Sequence, residues 1–288
     1  MKQEIKLVAL DLDGTLYNSN GVISEGNRET LKAIIDRGVT VVISTGRPYV
    51  GLPLTDMKGI GIDYAITANG AGVYRIRDRF CLHEDAISTE DSVALLRRLH
   101  QLPVHIDAFI DGNAYTQEST RQYIPLLHVP ESLRSYIRDT RTVVENLADF
   151  VAENSLTIQK LTINFVPDAA GNLTFREKTA ALLDQYPQFH YVSGGFRNIE
   201  VNKTGVSKAK GLRFLCETLH IPLSQTMACG DSENDFDIVT TAGIGVAMAN
   251  AEPILLDCAD FVSRSNEEDG VAYAIKHFIS SSSPTNHQ

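Results

Sequence analysis

Short apolar runs, each ending in a polar turn and followed by a stretch of helical periodicity, recur at both ends of this chain. Leu7–Leu10, Val39–Ile43 and Tyr64–Thr67 are such runs near the start, and Thr226–Cys229, Gly245–Met248 and Phe261–Val262 repeat the pattern near the end. Between them, Glu25–Asp36, Val206–Leu219, Glu233–Ala242, Glu252–Cys258 and Val271–Ile279 read as helices; Ser24 is a candidate N-cap and Gly38 a stop. Strands that alternate with helices lie parallel, because each crossover returns the chain to the same edge of the sheet.

The middle of the chain has a different rhythm. Thr89–Leu102 and Phe175–Tyr186 are helical, whereas His105–Ile110 and Gln159–Phe165 alternate polar with apolar residues. Asp111-Gly112-Asn113 turns the first of these strands into Ala114–Thr116, and Phe189–Val192 and Asn198–Val201 are further strand candidates. Hairpins of this kind belong to antiparallel sheets. The expected fold is α/β: a Rossmann-like parallel-sheet core, residues 1–83 and 196–288, interrupted by an inserted α+β domain, residues 84–195. A chain of 288 residues has room for both units.

Parallel sheets bind ligands beyond the C-terminal ends of their strands. Four chemistry-bearing segments fall at such ends or at a helix start. They are Asp11-Leu12-Asp13-Gly14-Thr15, Ser44-Thr45-Gly46-Arg47, Gly205-Val206-Ser207-Lys208 and Gly230-Asp231-Ser232-Glu233-Asn234-Asp235. Each alone has a plain structural reading. Asp and Gly form turns, an exposed lysine is ordinary, and an acid suits a helix N-terminus. Together they suit phosphoryl transfer. A phosphate monoester resists an anionic nucleophile, so positive charge must gather around it. Magnesium wants hard oxygen ligands, which Asp11 and Asp231 offer, and Lys208 adds a second cation. One carboxylate attacks phosphorus while another carries the proton of the leaving alcohol.

These segments resemble the motifs of the haloacid dehalogenase-like phosphatases, specifically the Cof-type members with a type IIB cap, among them bacterial sugar-phosphate phosphatases. Asn69-Gly70-Ala71, Gly245–Asn250 and Glu268-Asp269-Gly270-Val271 add lesser matches, so that the resemblance spans nearly the whole chain. It implies that Asp11 is the nucleophile and a magnesium ligand. Asp13 becomes the general acid/base, with its carbonyl on the metal, Asp231 the second carboxylate ligand and Asp235 a supporting acid behind them. Thr45, Gly46, Lys208, Asn234 and the Leu12 backbone become phosphate ligands. The inserted domain becomes a cap that closes over the site and reads the leaving group. Gly194-Gly195-Phe196-Arg197-Asn198 is a candidate substrate loop, and Arg47 is read as the partner of an acid.

The implied activity is magnesium-dependent hydrolysis of small phosphorylated metabolites, sugar phosphates first, through an aspartyl-phosphate. Alternatives are a phosphatase of a phosphorylated cofactor such as flavin mononucleotide or pyridoxal phosphate, a phosphomutase, and a phospho-aspartate sensor. A formal charge of −10 argues against general nucleic-acid binding. Cys81, Cys216, Cys229 and Cys258 form no CxxC pair, which argues against zinc and for reduced thiols in a cytoplasmic protein. The apolar run after Lys6 is too short for a signal peptide or a membrane span, and the stretch from Ser280 onward reads as a polar, frayed tail. The sequence leaves the oligomeric state and the identity of the substrate open.

Overall fold

The computed structural model describes residues 4–194 and 197–279. The candidate tail from Ser280 and the centre of the candidate substrate loop, Gly195 and Phe196, lie outside the described residues. The core is a three-layer sandwich around an eight-stranded sheet. In chain order its strands are β1 (Leu7–Leu10), β2 (Thr40–Ser44), β3 (Tyr64–Thr67), β4 (Gly72–Arg75), β5 (Phe80–Glu84), β12 (Thr226–Gly230), β13 (Ile244–Ala247) and β14 (Phe261–Val262). Their spatial order is β14-β13-β12-β1-β2-β3-β4-β5. Strands β14 through β3 are parallel, while β4 and β5 add an antiparallel edge.

Alternation along β1 fixes the layers. Val8 and Leu10 pack with Leu31 and Ile34 of α1 (Glu25–Ile35) and with Ala274 and Ile275 of α10 (Gly270–Phe278). Leu7 and Ala9 pack on the other side with Leu212 and Leu215 of α7 (Lys208–Leu219), Ile238 of α8 (Phe236–Thr241) and Leu255 of α9 (Pro253–Cys258). A strand buried on both faces reads as a continuous apolar run, which is why LVAL marks the centre of the sheet. Ser24 caps α1, accepting the Asn27 N–H.

After β5 the chain builds a second sheet. It comprises β6 (Val104–Ile110), β7 (Asn113–Gln117), β8 (Thr142–Val144), β9 (Lys160–Phe165), β10 (Phe189–Ser193) and β11 (Ile199–Lys203), in the order β10-β11-β9-β6-β7-β8. Asp111 and Gly112 both take positive φ, the turn that matches the twist of a two-residue hairpin between β6 and β7. One face of this sheet is apolar. Val104, Ile106, Leu161, Ile163 and Val201 pack with Leu95 and Leu99 of α3 (Thr89–Leu99) and Val151 of α5 (Leu147–Glu153); α6 (Thr174–Leu183) lies between β9 and β10, and the short α2 (Leu54–Met57) between β2 and β3 of the core.

The structure amends the expected layout in three places. The boundary at residue 196 falls one strand early, because β11 pairs with both β9 and β10 and belongs to the second sheet. The β4–β5 hairpin was not expected; β5 is mostly half-exposed and Phe80 is 55% exposed, so it carries no clear alternation. The 118–153 region, without assignment from the sequence, holds a Pro-containing 3₁₀ stretch (Glu118–Leu126), α4 (Glu131–Thr140), β8 and α5. Among the described residues no helix is long and apolar enough to cross a membrane.

Candidate active site

The strand order reverses beside β1: the chain moves outward through β2 and β3, then returns on the other side through β12 to β14. Crevices at such a switch point are the ligand sites of open α/β sheets. Register pairs Leu10 with both Ile43 and Cys229, so the residues that follow these strands come together at one edge.

Asp11 is the first residue beyond β1 and is 6% exposed. Its Oδ1 accepts a hydrogen bond from Lys208 Nζ at 2.6 Å. The same ammonium donates to Asp235 Oδ1 at 2.6 Å and reaches Asn234 Oδ1 at 3.5 Å. All three of its N–H donors are therefore directed at the site. Lys208 opens α7 after the Ser207 N-cap. Close approach sets this position: Gly70 has φ +103°, and a Cβ there would collide with the Ser207 carbonyl. Thr15 donates its hydroxyl proton to Asp231 Oδ1 at 2.7 Å. Gly14, with φ +85°, leaves the room that the Asp231 carboxylate occupies.

Asp11, Asp231 and Asp235 each present a carboxylate oxygen, all within 4.8 Å of one another. Burial, opposed by Lys208 and reinforced by Asp235 and Asp231, holds the Asp11 carboxyl well above the ordinary carboxylate range. Burial likewise pushes Asp231 up to about 6 against the pull of the Thr15 hydroxyl. For Lys208, burial works against the charge, but Asp11 and Asp235 outweigh it and raise its pKa. The cluster is short of positive charge, and its hard oxygen donors suit a divalent cation. Asp235 is engaged on both oxygens, since its Oδ2 accepts the N–H groups of Asp231 and Ser232 at 3.2 and 3.3 Å.

Asp13 stands apart from this cluster. Its side chain is 60% exposed, and Arg47 grips it with both arms of the guanidinium, Nε to Oδ2 at 2.9 Å and Nη2 to Oδ1 at 2.6 Å. Thr45 is buried, and its Oγ1 accepts the Arg47 N–H at 3.2 Å. Leu12 is fully buried, and its carbonyl accepts the Tyr17 N–H at 2.8 Å, closing the acidic turn. Gly46 faces the second sheet: a Cβ there would lie 2.8 Å from Asn69 Oδ1 and 3.2 Å from Lys160 Nζ. The structure thus brings Asp11, Asp231, Asp235, Lys208 and Asn234 into direct contact or near contact. Leu12 and Asp13 continue the turn beyond β1, and Thr45 and Gly46 the turn beyond β2.

Sequence reasoning missed the residues opposite. Lys160 and Glu200 form a buried ion pair at 2.8 Å on the polar face of the second sheet. Asn69, which the resemblance marks as a lesser match without assigning it a role, has φ +61° and donates to Glu200 Oε2 at 2.7 Å, while its Oδ1 accepts from Asn234 at 3.4 Å. Asn202 donates to the Ala68 carbonyl at 3.0 Å and so helps to hold Ala68 at φ +50°, a strained value for a residue with a Cβ. Arg141 is paired with Asp107 at 3.1 Å and lies over the Tyr136 ring. The available signal was the alternation of β6 and β9, which puts Asp107, Phe109, Lys160 and Thr162 on one face.

Three comparisons bear on this site. The sequence profile of the haloacid dehalogenase-like hydrolases matches residues 8–275. The chain is 32% identical over 293 residues to the phosphatase YwpJ of Bacillus subtilis, spanning 96% of this chain and 100% of that protein. It is 31% identical over 281 residues to the 5-amino-6-(5-phospho-D-ribitylamino)uracil phosphatase YcsE of the same bacterium, covering 96% of each. A solved haloacid dehalogenase-like hydrolase from B. subtilis superposes with a TM-score of 0.81 at 28% identity, covering 95% of this chain and 99% of that one.

Proposed function

The chain belongs to the haloacid dehalogenase-like hydrolases, and from that premise we propose that it is a magnesium-dependent phosphatase of small phosphorylated metabolites, sugar phosphates first among them. The observation that carries this reading is the buried Lys208 ammonium bonded at once to Asp11 and Asp235 beside Asp231. A nucleophilic carboxylate, a fixed cation and a cation-seeking acid cluster converge on one strand end.

In this reading Asp13 first leaves the paired hold of Arg47 and takes a proton from solvent; Asp11 then attacks phosphorus, the bond to the leaving oxygen breaks, and Asp13 gives that oxygen its proton. Asp13 then takes a proton from water, which displaces phosphate from Asp11. Asp13 must exchange one of its Arg47 bonds for the leaving oxygen, so Arg47 parks it at the mouth of the site until substrate arrives. Lys208, Thr45, Gly46, Asn234 and the Leu12 backbone hold the phosphate oxygens. Asp11, Asp231 and the Asp13 carbonyl would hold the magnesium ion, which supplies positive charge against the phosphate dianion. Asp235, with both oxygens engaged, braces Lys208 and the Asp231 turn from behind. The four cysteines are free thiols, which fits a reducing, cytoplasmic setting.

A second reading has one observation of its own, the relative that acts on a ribitylamino-uracil phosphate. The deciding experiment is a turnover screen of the purified protein with magnesium and with excess chelator. The panel holds hexose and pentose phosphates, the ribitylamino-uracil phosphate, flavin mononucleotide and pyridoxal phosphate. The reading expects phosphate release that chelator abolishes, with the highest kcat/KM on a sugar phosphate. Highest kcat/KM on the ribitylamino-uracil phosphate selects the second reading, and full activity in chelator defeats the metal-dependent one.

A further inference from the structure

Lys160 opens β9 on the polar face of the inserted sheet, and its side chain is 2% exposed. Its ammonium meets Glu200 Oε1 at 2.8 Å and lies 5.1 Å from the centre of the Phe109 ring. An ammonium has three N–H donors, and one carboxylate oxygen does not occupy them. Buried ion pairs add little to stability because desolvation cancels most of their attraction. Stability is therefore a poor reason for this pair to sit where it does.

Its location supplies a better one. A Cβ on Gly46 would lie 3.2 Å from Lys160 Nζ and 3.5 Å from Glu200 Oε2. Gly46 is one of the phosphate ligands of the reading above. Glu200 holds Lys160 with one oxygen and Asn69 of the core with the other, at 2.7 Å. Asn69 in turn touches Asn234, which touches Lys208. One polar chain thus runs between the two buried lysines, across the junction of the two sheets. Around it stand the carboxylates of Asp11, Asp13, Asp231, Asp235 and Glu200, with Lys208, Arg47 and Lys160 as the cations. An entering phosphate dianion increases the negative excess and needs every cation within reach.

We propose that Lys160 is a second phosphate-binding lysine, carried by the inserted domain and set over the Thr45–Gly46 segment when the two sheets face each other as they do here. Glu200 is its positioning residue. The inference rests on the phosphatase reading above. Because the contact is with the phosphate, every phosphate ester feels its loss, whatever the leaving group. The domain that covers the leaving group therefore also contributes to the chemistry common to all substrates.

The test uses the full chain with magnesium present. Orthophosphate is titrated calorimetrically, and kcat/KM is measured on a hexose 6-phosphate and on acetyl phosphate. In Lys160→Met the orthophosphate dissociation constant rises roughly tenfold or more, the scale of one charged hydrogen bond. Both kcat/KM values fall, by factors that agree within about threefold. Glu200→Gln keeps the side-chain volume and shifts orthophosphate affinity the same way by a smaller, few-fold factor; it carries the test if the first variant does not fold. Orthophosphate affinity within about twofold of wild type in the folded variants overturns the proposal. So does a loss confined to the hexose phosphate, which would make Lys160 a leaving-group contact. If the wild type binds orthophosphate but hydrolyses neither the hexose phosphate nor acetyl phosphate, the phosphatase reading fails while the binding comparison still decides the role of Lys160.

Discussion

Two polar surfaces meet in this molecule, built in opposite ways. At the edge of the core sheet the charged groups stand on the turns beyond strand ends: Asp11 after β1, Arg47 after β2, Asp231 and Asp235 after β12. Their backbone has left the ladder, so side chains and free N–H groups can serve a ligand together. On the facing side of the inserted sheet the charged groups stand within strands: Asp107 in β6, Lys160 in β9 and Glu200 in β11. There the ladder consumes the backbone, and only side chains are on offer. The first surface is shaped by turn geometry and tolerates little change. The second is a set of positions on a pleated face, each replaceable without moving the chain. If the core edge and the Lys160–Glu200 pair handle the phosphate as proposed, the remaining positions of the facing sheet are the ones free to vary with the leaving group.

The comparison predicts that damage at the core edge is the more severe. Lys208→Met should lower kcat/KM roughly 10³-fold in a phosphate-release assay, a large share of the electrostatic contribution at such sites. It should also cost about 3 kcal/mol in a metal-free urea titration, because Asp11 and Asp235 lose their buried counter-charge. Gly70→Ala comes next, at about 2–3 kcal/mol, since its Cβ has nowhere to go at φ +103° against the Ser207 carbonyl. Asp85→Asn lies at the low end. Asp85 ties Lys203, at the end of β11, to Lys210 of α7, where the inserted sheet rejoins the core. Both lysine side chains are about half-exposed, at 50% and 48%, so the expected loss is about 1 kcal/mol in the same titration.

A pH series sharpens the contrast. Burial raises Asp231 from 3.8 to about 6 and raises Asp11 as well. A carboxyl raised in the folded state favours folding while protonated, so in metal-free protein this contribution is lost as pH climbs from about 4 through about 6. A divalent ion offsets the added charge. The rise in Tm on adding magnesium should therefore be larger at about pH 7.5 than at about pH 5, as read by scanning calorimetry. On the facing surface, burial lowers the His105 pKa, Arg141 adding to the fall and Asp107 opposing it, so a neutral imidazole sits between Thr116 and Asn164. Magnesium should leave that surface unaffected.

The same contrast explains what could be read beforehand. Asp11, Thr45, Lys208 and Asp231 were legible because strand ends and a helix start are positions that sequence marks with Gly, Ser and Asp, and because a parallel sheet carries such ends to one edge. Lys160 and Glu200 were not. Alternation in β9 and β6 identifies a strand with one polar face, but it reads the same whether that face meets water or another domain. Here every residue of β6 and β9 is buried. Asn69 stands between the two: the lesser Asn69-Gly70-Ala71 match marks it but assigns it no role, and nothing in an Asn-Gly turn announces that its amide also bridges Glu200 and Asn234. The β4–β5 hairpin and the 118–153 region lack clean periodicity because charged turns, a proline and half-exposed strands interrupt them.

In the proposed reaction Asp11, held by Lys208 at the C-terminal end of β1, is the group that receives the phosphoryl. The most direct measurement is phosphate release by wild type and Asp11→Asn side by side, at saturating magnesium, on the best substrate of the screen. The variant, folded and with a Tm unchanged within a few degrees, should lose turnover by roughly 10³-fold or more if Asp11 is the nucleophile. Turnover within about tenfold of wild type would contradict it, because an amide at that position cannot serve as the attacking carboxylate.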